Sequence, residues 1–241
     1  EITRNWRHWL LMAGGGAFMN ALPFTLFAYA QQHVTSILAS IINGATPIMT
    51  LLALLTVFRG EKLKLNVILG LLIGMGGVMI VLAVWQGFGE NDPTAVLAMI
   101  AAVSCYGLGG PFIVRFVTPL KMPNEIMSIG QVGSASLIVL PFYLAGPALI
   151  GDVTLPAVAS VITLGAVGSG LAYILYYRII KQVGSAIANS VTYMSPLVAT
   201  VLGMLLLGEE LHWYEPVGGV IVILGALISQ GRLAWLQRYI R

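Results

Sequence analysis

The chain has 241 residues, of which 58% are hydrophobic and only 9% are charged, and its mean hydropathy is +0.92. Soluble domains carry roughly a quarter of charged residues, so this composition excludes a water-soluble fold and predicts an integral membrane protein. The net charge of +3 says nothing about nucleic acid, because the positions of the charges matter more than their sum, and we expect no nucleic-acid partner. The single cysteine, Cys105, excludes an internal disulfide.

Long apolar runs follow one another along the whole chain. A helix needs about 20 apolar residues to cross the hydrocarbon core of a bilayer. On this criterion the sequence predicts an all-α protein with eight membrane helices, at residues 10–30, 34–58, 65–84, 94–117, 125–145, 156–178, 185–207 and 214–231. Prolines inside these runs predict kinks or local openings of the helices, at Pro23, Pro47, Pro111, Pro141 and Pro196.

The charged residues predict the orientation of these helices. If the eight helices alternate in direction, all twelve Lys and Arg residues lie on one side of the membrane. The loops on the other side carry acidic residues instead: Glu90, Asp92, Asp152, Glu209, Glu210 and Glu215. Basic loops face the cytoplasm, so we expect both ends of the chain to be cytoplasmic in a multi-pass membrane protein.

The sequence also contains an internal echo. The run from Val34 to Leu63 recurs from Val183 to Leu211, with Pro47 matching Pro196 and a Gly-Glu-x-Leu motif following both prolines. The glycines of the next helix match as well, pairing Gly70 and Gly77 with Gly218 and Gly225. Recurrence of a proline, a charged turn and a glycine-spaced helix in the same order indicates an internal duplication.

The two copies are predicted to be inverted, because an odd number of helices separates them. We expect residues 1–84 to be the last three helices of a first five-helix repeat, and 85–93 to be an outside loop. Residues 94–231 would be the second five-helix repeat, and 232–241 a basic cytoplasmic tail. The first two helices of the second repeat, 94–117 and 125–145, have no counterpart within residues 1–84. We therefore expect two further helices, about 60 residues, before Glu1.

Two passages carry a family resemblance. PIMTLLALLTVFRGEKLKLNVILGLLIGMGGVMIVL and SPLVATVLGMLLLGEELHWYEPVGGVIVILGALI resemble the closing helices of the two EamA repeats of the drug/metabolite transporter superfamily. The resemblance implies ten helices in two inverted repeats, with solute transport by alternating access through a central cavity. It is nearest to the bacterial amino-acid exporter branch. This implies a protein of a bacterial inner membrane that exports small polar metabolites, most often amino acids. Drugs, purines and sugar phosphates remain alternative solutes, and a membrane scaffold subunit that transports nothing remains an alternative function.

Polar side chains within membrane helices are unfavourable unless they have partners or face a cavity. Inverted-repeat transporters bind substrate near the bilayer midplane, at the interface of their repeats. The predicted substrate-binding residues lie near the middle of their helices, and all but Tyr106 lie in helices that the repeat pairs: Asn20, Asn43, Thr46, Tyr106, Tyr173, Asn189, Thr192, Tyr193 and Ser195. Pro47 and Pro196 are candidate gating kinks or permanent bends. Serine and threonine also bond to the backbone of their own helix, which is the structural alternative for those positions.

The remaining expectations concern chemistry and partners. No Asp or Glu lies well inside a predicted helix, and no paired carboxylates, Cys/His pair or metal-ligand spacing occurs in the sequence. We therefore expect neither an enzyme nor a bound metal or cofactor. Helices 65–84 and 214–231 have few polar side chains and regularly spaced glycines, which predicts peripheral packing or a dimer surface. The expected partners are a small-molecule substrate and the lipid bilayer, and the expected state is a monomer or a homodimer.

Overall fold

A computed structural model describes residues 5–59, 64–87, 89–146, 154–202, 204–205 and 212–231. All the regular secondary structure in these ranges is helical, which confirms the all-α prediction. The α-helices, in chain order, are α1 Trp6–Gly16, α2 Leu22–Ala30, α3 Ser36–Gly44, α4 Thr46–Thr56, α5 Leu65–Val81, α6 Pro93–Phe112, α7 Asn124–Ala145, α8 Leu155–Thr163, α9 Ala172–Asn189, α10 Met194–Leu202 and α11 Tyr214–Ser229. Short π-helical segments join some of them, at Ala17–Ala21, Ile113–Val117 and Leu164–Leu171.

Five continuous helical stretches are long and apolar enough to cross a membrane: Trp6–Ala30, Leu38–Thr56, Pro93–Leu120, Asn124–Ala145 and Leu155–Val198. The chain is therefore a multi-pass membrane protein. The last stretch has 44 residues, and Gly184 interrupts it with φ 78° and ψ 175°, a backbone conformation that does not occur within a helix. Helices α5 and α11 are apolar but have only 17 and 16 residues. The predicted count of eight membrane helices stays a prediction.

Side-chain caps fix several helix starts. The side chain of Thr35 accepts a hydrogen bond from the backbone of Leu38, and that of Asp92 accepts one from Thr94. Thr154 caps α8 in the same way through the backbone N–H of Ala157. The first N–H groups of a helix have no partner inside it, so an oxygen at the preceding residue stabilises the start.

The helix break before Pro47 has a local cause. Ala45 separates α3 from α4 with φ −75° and ψ −5°, and Pro47 has no N–H to donate to the carbonyl of Asn43. The hydroxyl of Thr46 donates to that carbonyl instead, over 2.7 Å. The second copy has a comparable interruption, because the 3₁₀ segment Ser190–Tyr193 precedes Pro196.

Helices α5 and α11 pack backbone against backbone in antiparallel directions. A Cβ atom added at Gly70 would lie 2.6 Å from the carbonyl oxygen of Gly225, and one added at Gly225 would lie 2.7 Å from that of Gly70. Gly77 and Gly218 show the same relation, at 2.9 Å and 2.7 Å. The sequence repeat matches Gly70 to Gly218 and Gly77 to Gly225, so exchanging the two copies turns each of these contacts into the other.

The buried side chains form clusters of different character at opposite ends of the helices. One cluster contains Met12, Ile113, Met127, Tyr177 and Ile180 among its largest members. Another cluster, near the end of α2 and the start of α6, is built from Ala30, Ala39, Ala95 and Met99. The largest members of the first cluster are long or aromatic side chains, whereas three of the four buried residues of the second are alanines.

Candidate functional site

A cavity of about 470 Å³ lies between α2, α3, α6 and α9. Six of the nine predicted substrate-binding residues line it: Asn43, Thr46, Tyr106, Tyr173, Asn189 and Thr192. The remaining wall is mainly apolar or aromatic and includes Met19, Phe24 and Tyr176. A largely apolar cavity of 300 to 1,000 Å³ with a few polar groups is typical of small-molecule sites.

A second cavity of about 270 Å³ adjoins the first. The two share Phe24, Asn43 and Tyr106, so Asn43 lies where they meet. The second cavity is located where α2 ends and α3 begins, because Gln31 and Ser40 also line it. We call it the vestibule and the larger one the aromatic cavity.

Three predicted residues lie outside both cavities. Asn20 is 4% exposed and is held by another buried side chain, Gln131. Tyr193 is also buried, with its hydroxyl donating to the carbonyl of Leu71 over 2.9 Å. Ser195 is exposed on α10. These three residues stay predictions as substrate ligands, and their observed positions suit other roles better.

A buried polar chain links α7, α9 and the π-helical segment Ala17–Ala21. Gln131 donates to Asn20 Oδ1 over 2.7 Å and accepts a hydrogen bond from the Tyr177 hydroxyl over 2.7 Å. Gln131 is fully buried, so each of its polar atoms needs such a partner. Gln131 was not among the predicted residues, although a lone amide within an apolar helix was the available signal.

A second polar chain surrounds Asn189 and joins the two sequence copies. The Tyr176 hydroxyl donates to Asn189 Oδ1, and Asn189 Nδ2 donates to Thr50 Oγ1, both over 2.7 Å. Thr50 Oγ1 in turn donates to the carbonyl of Thr46 over 3.0 Å. The amide of Asn189 is therefore occupied on both sides, and it connects α9 to α4. Tyr176 was not among the predicted residues.

Most other polar groups of the aromatic cavity are also paired. Thr46 and Thr192 donate to the carbonyls of Asn43 and Asn189, and the Tyr173 hydroxyl donates to the carbonyl of Met19. For the threonines, this is the structural alternative that the sequence left open. By contrast, the side chains of Asn43 and Tyr106 have no hydrogen bond to any part of the chain that the structure describes. They are the groups most available to a ligand.

Neither cavity is lined by an Asp, Glu, His, Lys or Arg residue within the described ranges. The same ranges hold no group of three His, Cys, Asp or Glu side chains that could bind a metal ion. The site can therefore offer a ligand neutral hydrogen-bonding groups and aromatic faces. A net charge inside it would lose hydration without gaining a counter-ion.

A multi-pass helical protein with an uncharged, partly aromatic cavity between its helices has the architecture of a small-solute membrane transporter. Comparison of the sequence with protein families identifies the family. The chain belongs to the EamA-like transporter family, whose family model matches residues 1–83 and 93–230. The resemblance seen in the sequence is confirmed.

Several curated proteins are similar to the chain. The "Uncharacterized inner membrane transporter YedA" of Escherichia coli strain K12 is 29% identical over 203 residues, which cover 84% of this chain and 64% of that protein. The "Probable terminal-alkyne amino-acid exporter" of Streptantibioticus cattleyicolor is 27% identical, covering 88% of this chain and 70% of the exporter. "Protein PecM" of Dickeya dadantii is 25% identical, covering 93% and 73%. The chain thus spans about two thirds of the length of these relatives.

A solved structure titled "Crystal structure of protein" has the same fold. Its TM-score against this chain is 0.74 at 17% sequence identity, and the match covers 98% of this chain and 79% of that one.

Proposed function

We propose that the chain forms most of an inner-membrane exporter of small metabolites, with amino acids as the main substrates. The observation that carries the proposal is the position of Asn43, whose unpaired amide lies at the junction of two uncharged cavities. An amide has both donors and an acceptor, so it can pair with a carboxylate or with an ammonium group. The similar exporter of Streptantibioticus cattleyicolor, whose name specifies an amino acid, supports this class of substrate.

Asn43 and Tyr106 are the proposed direct ligands, because their polar groups are available. Thr46, Tyr173, Asn189 and Thr192 line the aromatic cavity while bonded to protein, so they shape it and contact substrate mainly through apolar surface. Asn20, Tyr193 and Ser195 act outside the cavities, and the first two position neighbouring helices.

The proposal includes eight membrane helices in this chain and two inverted repeats. The reciprocal contacts of Gly70 with Gly225 and of Gly77 with Gly218 support it, because a two-fold axis perpendicular to an antiparallel helix pair generates this pattern. The π-helical segments support it as well, since residues 17–21 correspond to 166–170 within Leu164–Leu171 under the 149-residue offset. Such an axis lies in the membrane plane.

Exposure along α8 supports two further helices in the complete protein. Helix α8 and the following π-helical segment contain no buried residue. Their sequence equivalents in α1 are covered by α7, and Met12 is fully buried while its equivalent Val161 is 70% exposed. If the repeats are inverted copies, a pair of helices equivalent to α6 and α7 covers α8 in the complete protein.

Alternating access requires the cavity to close at one end while it opens at the other. The cluster around Met12, Met127 and Tyr177 supports a closed end, and the alanine-rich cluster near the vestibule supports an open one. The helix breaks before Pro47 and Pro196 are the proposed hinges, because backbone hydrogen bonds are already interrupted there.

Efflux from proteoliposomes tests this function. The purified full-length protein is reconstituted with a mixture of the standard amino acids inside, and loss of each is measured over time. We expect selective efflux, reduced about tenfold in Asn43→Ala, and unchanged in Thr56→Val, whose exposed hydroxyl bonds only to its own helix. Efflux of purines, drugs or sugar phosphates in place of amino acids would establish the alternative substrate class. Absence of any solute flux from correctly folded protein would favour the scaffold alternative.

A further inference from the structure

The groups that can still form hydrogen bonds are not spread evenly over the two cavities. In the vestibule, the side chains of Gln31, Ser40, Asn43 and Tyr106 have no hydrogen bond to any described residue. In the aromatic cavity beyond Asn43, the polar groups of Thr46, Tyr173, Asn189 and Thr192 are already bonded to protein. The vestibule is thus a polar compartment, whereas the aromatic cavity presents mostly apolar surface.

We propose that the vestibule is a head-group subsite, and that the pair of cavities selects amphipathic solutes without net charge. The head of such a solute contacts Gln31, Ser40 and Asn43, and its aromatic or large aliphatic body occupies the aromatic cavity. This inference rests on the proposed function and narrows its substrate class. It also adds Gln31 and Ser40 as specificity-determining residues.

The polar groups of the subsite match both halves of a zwitterion. The amides of Gln31 and Asn43 each provide two N–H donors and a carbonyl acceptor, and the hydroxyls of Ser40 and Tyr106 can donate or accept. A carboxylate can therefore accept hydrogen bonds from these residues, and an ammonium or amide N–H can donate hydrogen bonds to them. Gln31 is exposed, so the head also keeps part of its hydration.

The lack of charged residues among the described lining of both cavities disfavours solutes with a net charge. A cation or an anion would lose hydration in the cavities and meet no opposite charge among the described lining residues. That cost is much smaller for an uncharged amide, and in a zwitterion the two charges partly compensate each other.

The walls of the aromatic cavity determine the preferred body. Phe24, Tyr106, Tyr173 and Tyr176 supply ring surfaces, and Tyr173 and Tyr176 lie with their centroids 6.1 Å apart at 80°. Because these hydroxyls, apart from that of Tyr106, are bonded to protein, a small polar body would gain no partners beside them. A solute with only a head group would leave this apolar surface in contact with water.

Five probes with matched parts test the proposal by calorimetric binding to the full-length protein in nanodiscs. L-phenylalanine and N-acetyl-L-phenylalaninamide have a phenyl body and a net-neutral head. Phenethylamine and 3-phenylpropionate keep the body but carry one charge, and L-serine keeps the zwitterionic head without the body. We expect the first two to bind, and the other three to bind at least tenfold more weakly.

Variants locate the head group. Gln31→Ala and Ser40→Ala should each weaken L-phenylalanine binding roughly three- to tenfold, the amount that one or two hydrogen bonds contribute. Ser104→Ala is the matched control on α6, since its hydroxyl donates to the carbonyl of Ile100 and lies outside both cavities. Unchanged thermal unfolding of the variants establishes that the fold is retained.

Several results would overturn the inference. Among the probes, the inference is wrong if phenethylamine, 3-phenylpropionate or L-serine binds as tightly as L-phenylalanine, or if no probe binds. Among the variants, it is wrong if Gln31→Ala and Ser40→Ala both leave the affinity for L-phenylalanine unchanged. The proposed export function is judged separately by the efflux assay. A protein that exports amino acids but ranks the probes differently fails only this inference, and one that binds L-phenylalanine without flux fails only the proposed function.

Discussion

Asn189 and Thr50, which are 139 residues apart in the chain, are joined by a buried hydrogen bond of 2.7 Å. Thr50 is fully buried and Asn189 is 3% exposed. Thr50 belongs to α4, just after the break at Ala45, and Asn189 ends α9, just before the 3₁₀ segment. The bond therefore connects the interrupted regions of the two sequence copies beside the cavity.

Removing this bond should destabilise the protein measurably. Thr50→Val keeps the side-chain shape but leaves Asn189 Nδ2 with only the carbonyl of Tyr106, at 3.4 Å. Hydrogen bonds between membrane helices contribute on average about 0.6 kcal/mol and at most about 1.7 kcal/mol, so we expect a loss of about 1 kcal/mol. Equilibrium unfolding in mixed micelles measures it, with Thr56→Val as the control on the same helix.

A double-mutant cycle with Asn189→Ala separates the bond from other effects of the two substitutions. If the two losses simply add, the pair contributes nothing as a unit and the inferred connection between the copies is wrong.

A second prediction is that a methyl group in the glycine contact between α5 and α11 destabilises the protein. Gly77→Ala would bring a Cβ atom to 2.9 Å from the carbonyl oxygen of Gly218, so the helices must separate, at a cost of about 1 to 3 kcal/mol. Gly76→Ala is the matched control, because nothing lies within 4 Å of a Cβ atom at that position. Thermal unfolding compares the variants. Equal stabilities would show that the two helices do not pack as closely as the structure indicates.

A third prediction concerns the buried chain through Gln131. Gln131→Leu removes the partner of Asn20 and of the Tyr177 hydroxyl at once, and a buried polar group without a partner costs about 1 to 3 kcal/mol. We expect a loss of about 2 to 4 kcal/mol in unfolding free energy. Ser136→Ala in the same helix should change little, since that exposed hydroxyl bonds to the carbonyl of Val132. A stable Gln131→Leu variant would mean that water or another side chain replaces the amide.

The sequence predicted the class of fold and much of the cavity, because both depend on patterns that a linear chain displays. Apolar run lengths indicate membrane helices, and the match of Pro47 to Pro196 indicates where helices are interrupted. An amide such as Asn43 within an apolar run indicates a cavity or a buried partner, since lipid offers neither donors nor acceptors.

The direction of each side chain was less predictable. Tyr173 and Tyr193 both lie within apolar runs, yet Tyr173 lines the aromatic cavity and Tyr193 packs against Gly74 of α5. A 3₁₀ segment turns by about 120° per residue and an α-helix by about 100°, so the segment Ser190–Tyr193 rotates the positions that follow. The π-helical segment at Asn20 has a similar effect in the opposite sense. These local changes of pitch depend on tertiary contacts, and hydrophobic periodicity does not reveal them.

Transport should not depend on a proton gradient through the residues of this chain. The described helices contain acidic residues only near their starts, at Glu125 in α7 and Glu215 in α11. Proton-coupled transporters usually use an intramembrane carboxylate or histidine. We expect dissipation of the pH gradient in proteoliposomes to leave the initial efflux rate of amino acids unchanged within about twofold. If efflux collapses, and Glu125→Gln makes it insensitive to the gradient, this prediction is wrong and Glu125 is the coupling group.

The open end of the cavities should face the outside of the cell. The vestibule lies beside the loop between α2 and α3, and the basic residues of the sequence place that loop opposite the cytoplasm. In a background in which Cys105 and any other cysteine of the complete protein are replaced by alanine, a charged thiol reagent that cannot cross the membrane should label Ser40→Cys in intact cells. It should not label Met12→Cys, which lies in the closed cluster and is 0% exposed, because thiols react as thiolates and need water around them. Labelling of Ser40→Cys only in inside-out vesicles would reverse the predicted orientation, and equal labelling of both variants from outside would show that the cluster around Met12 does not close the pathway.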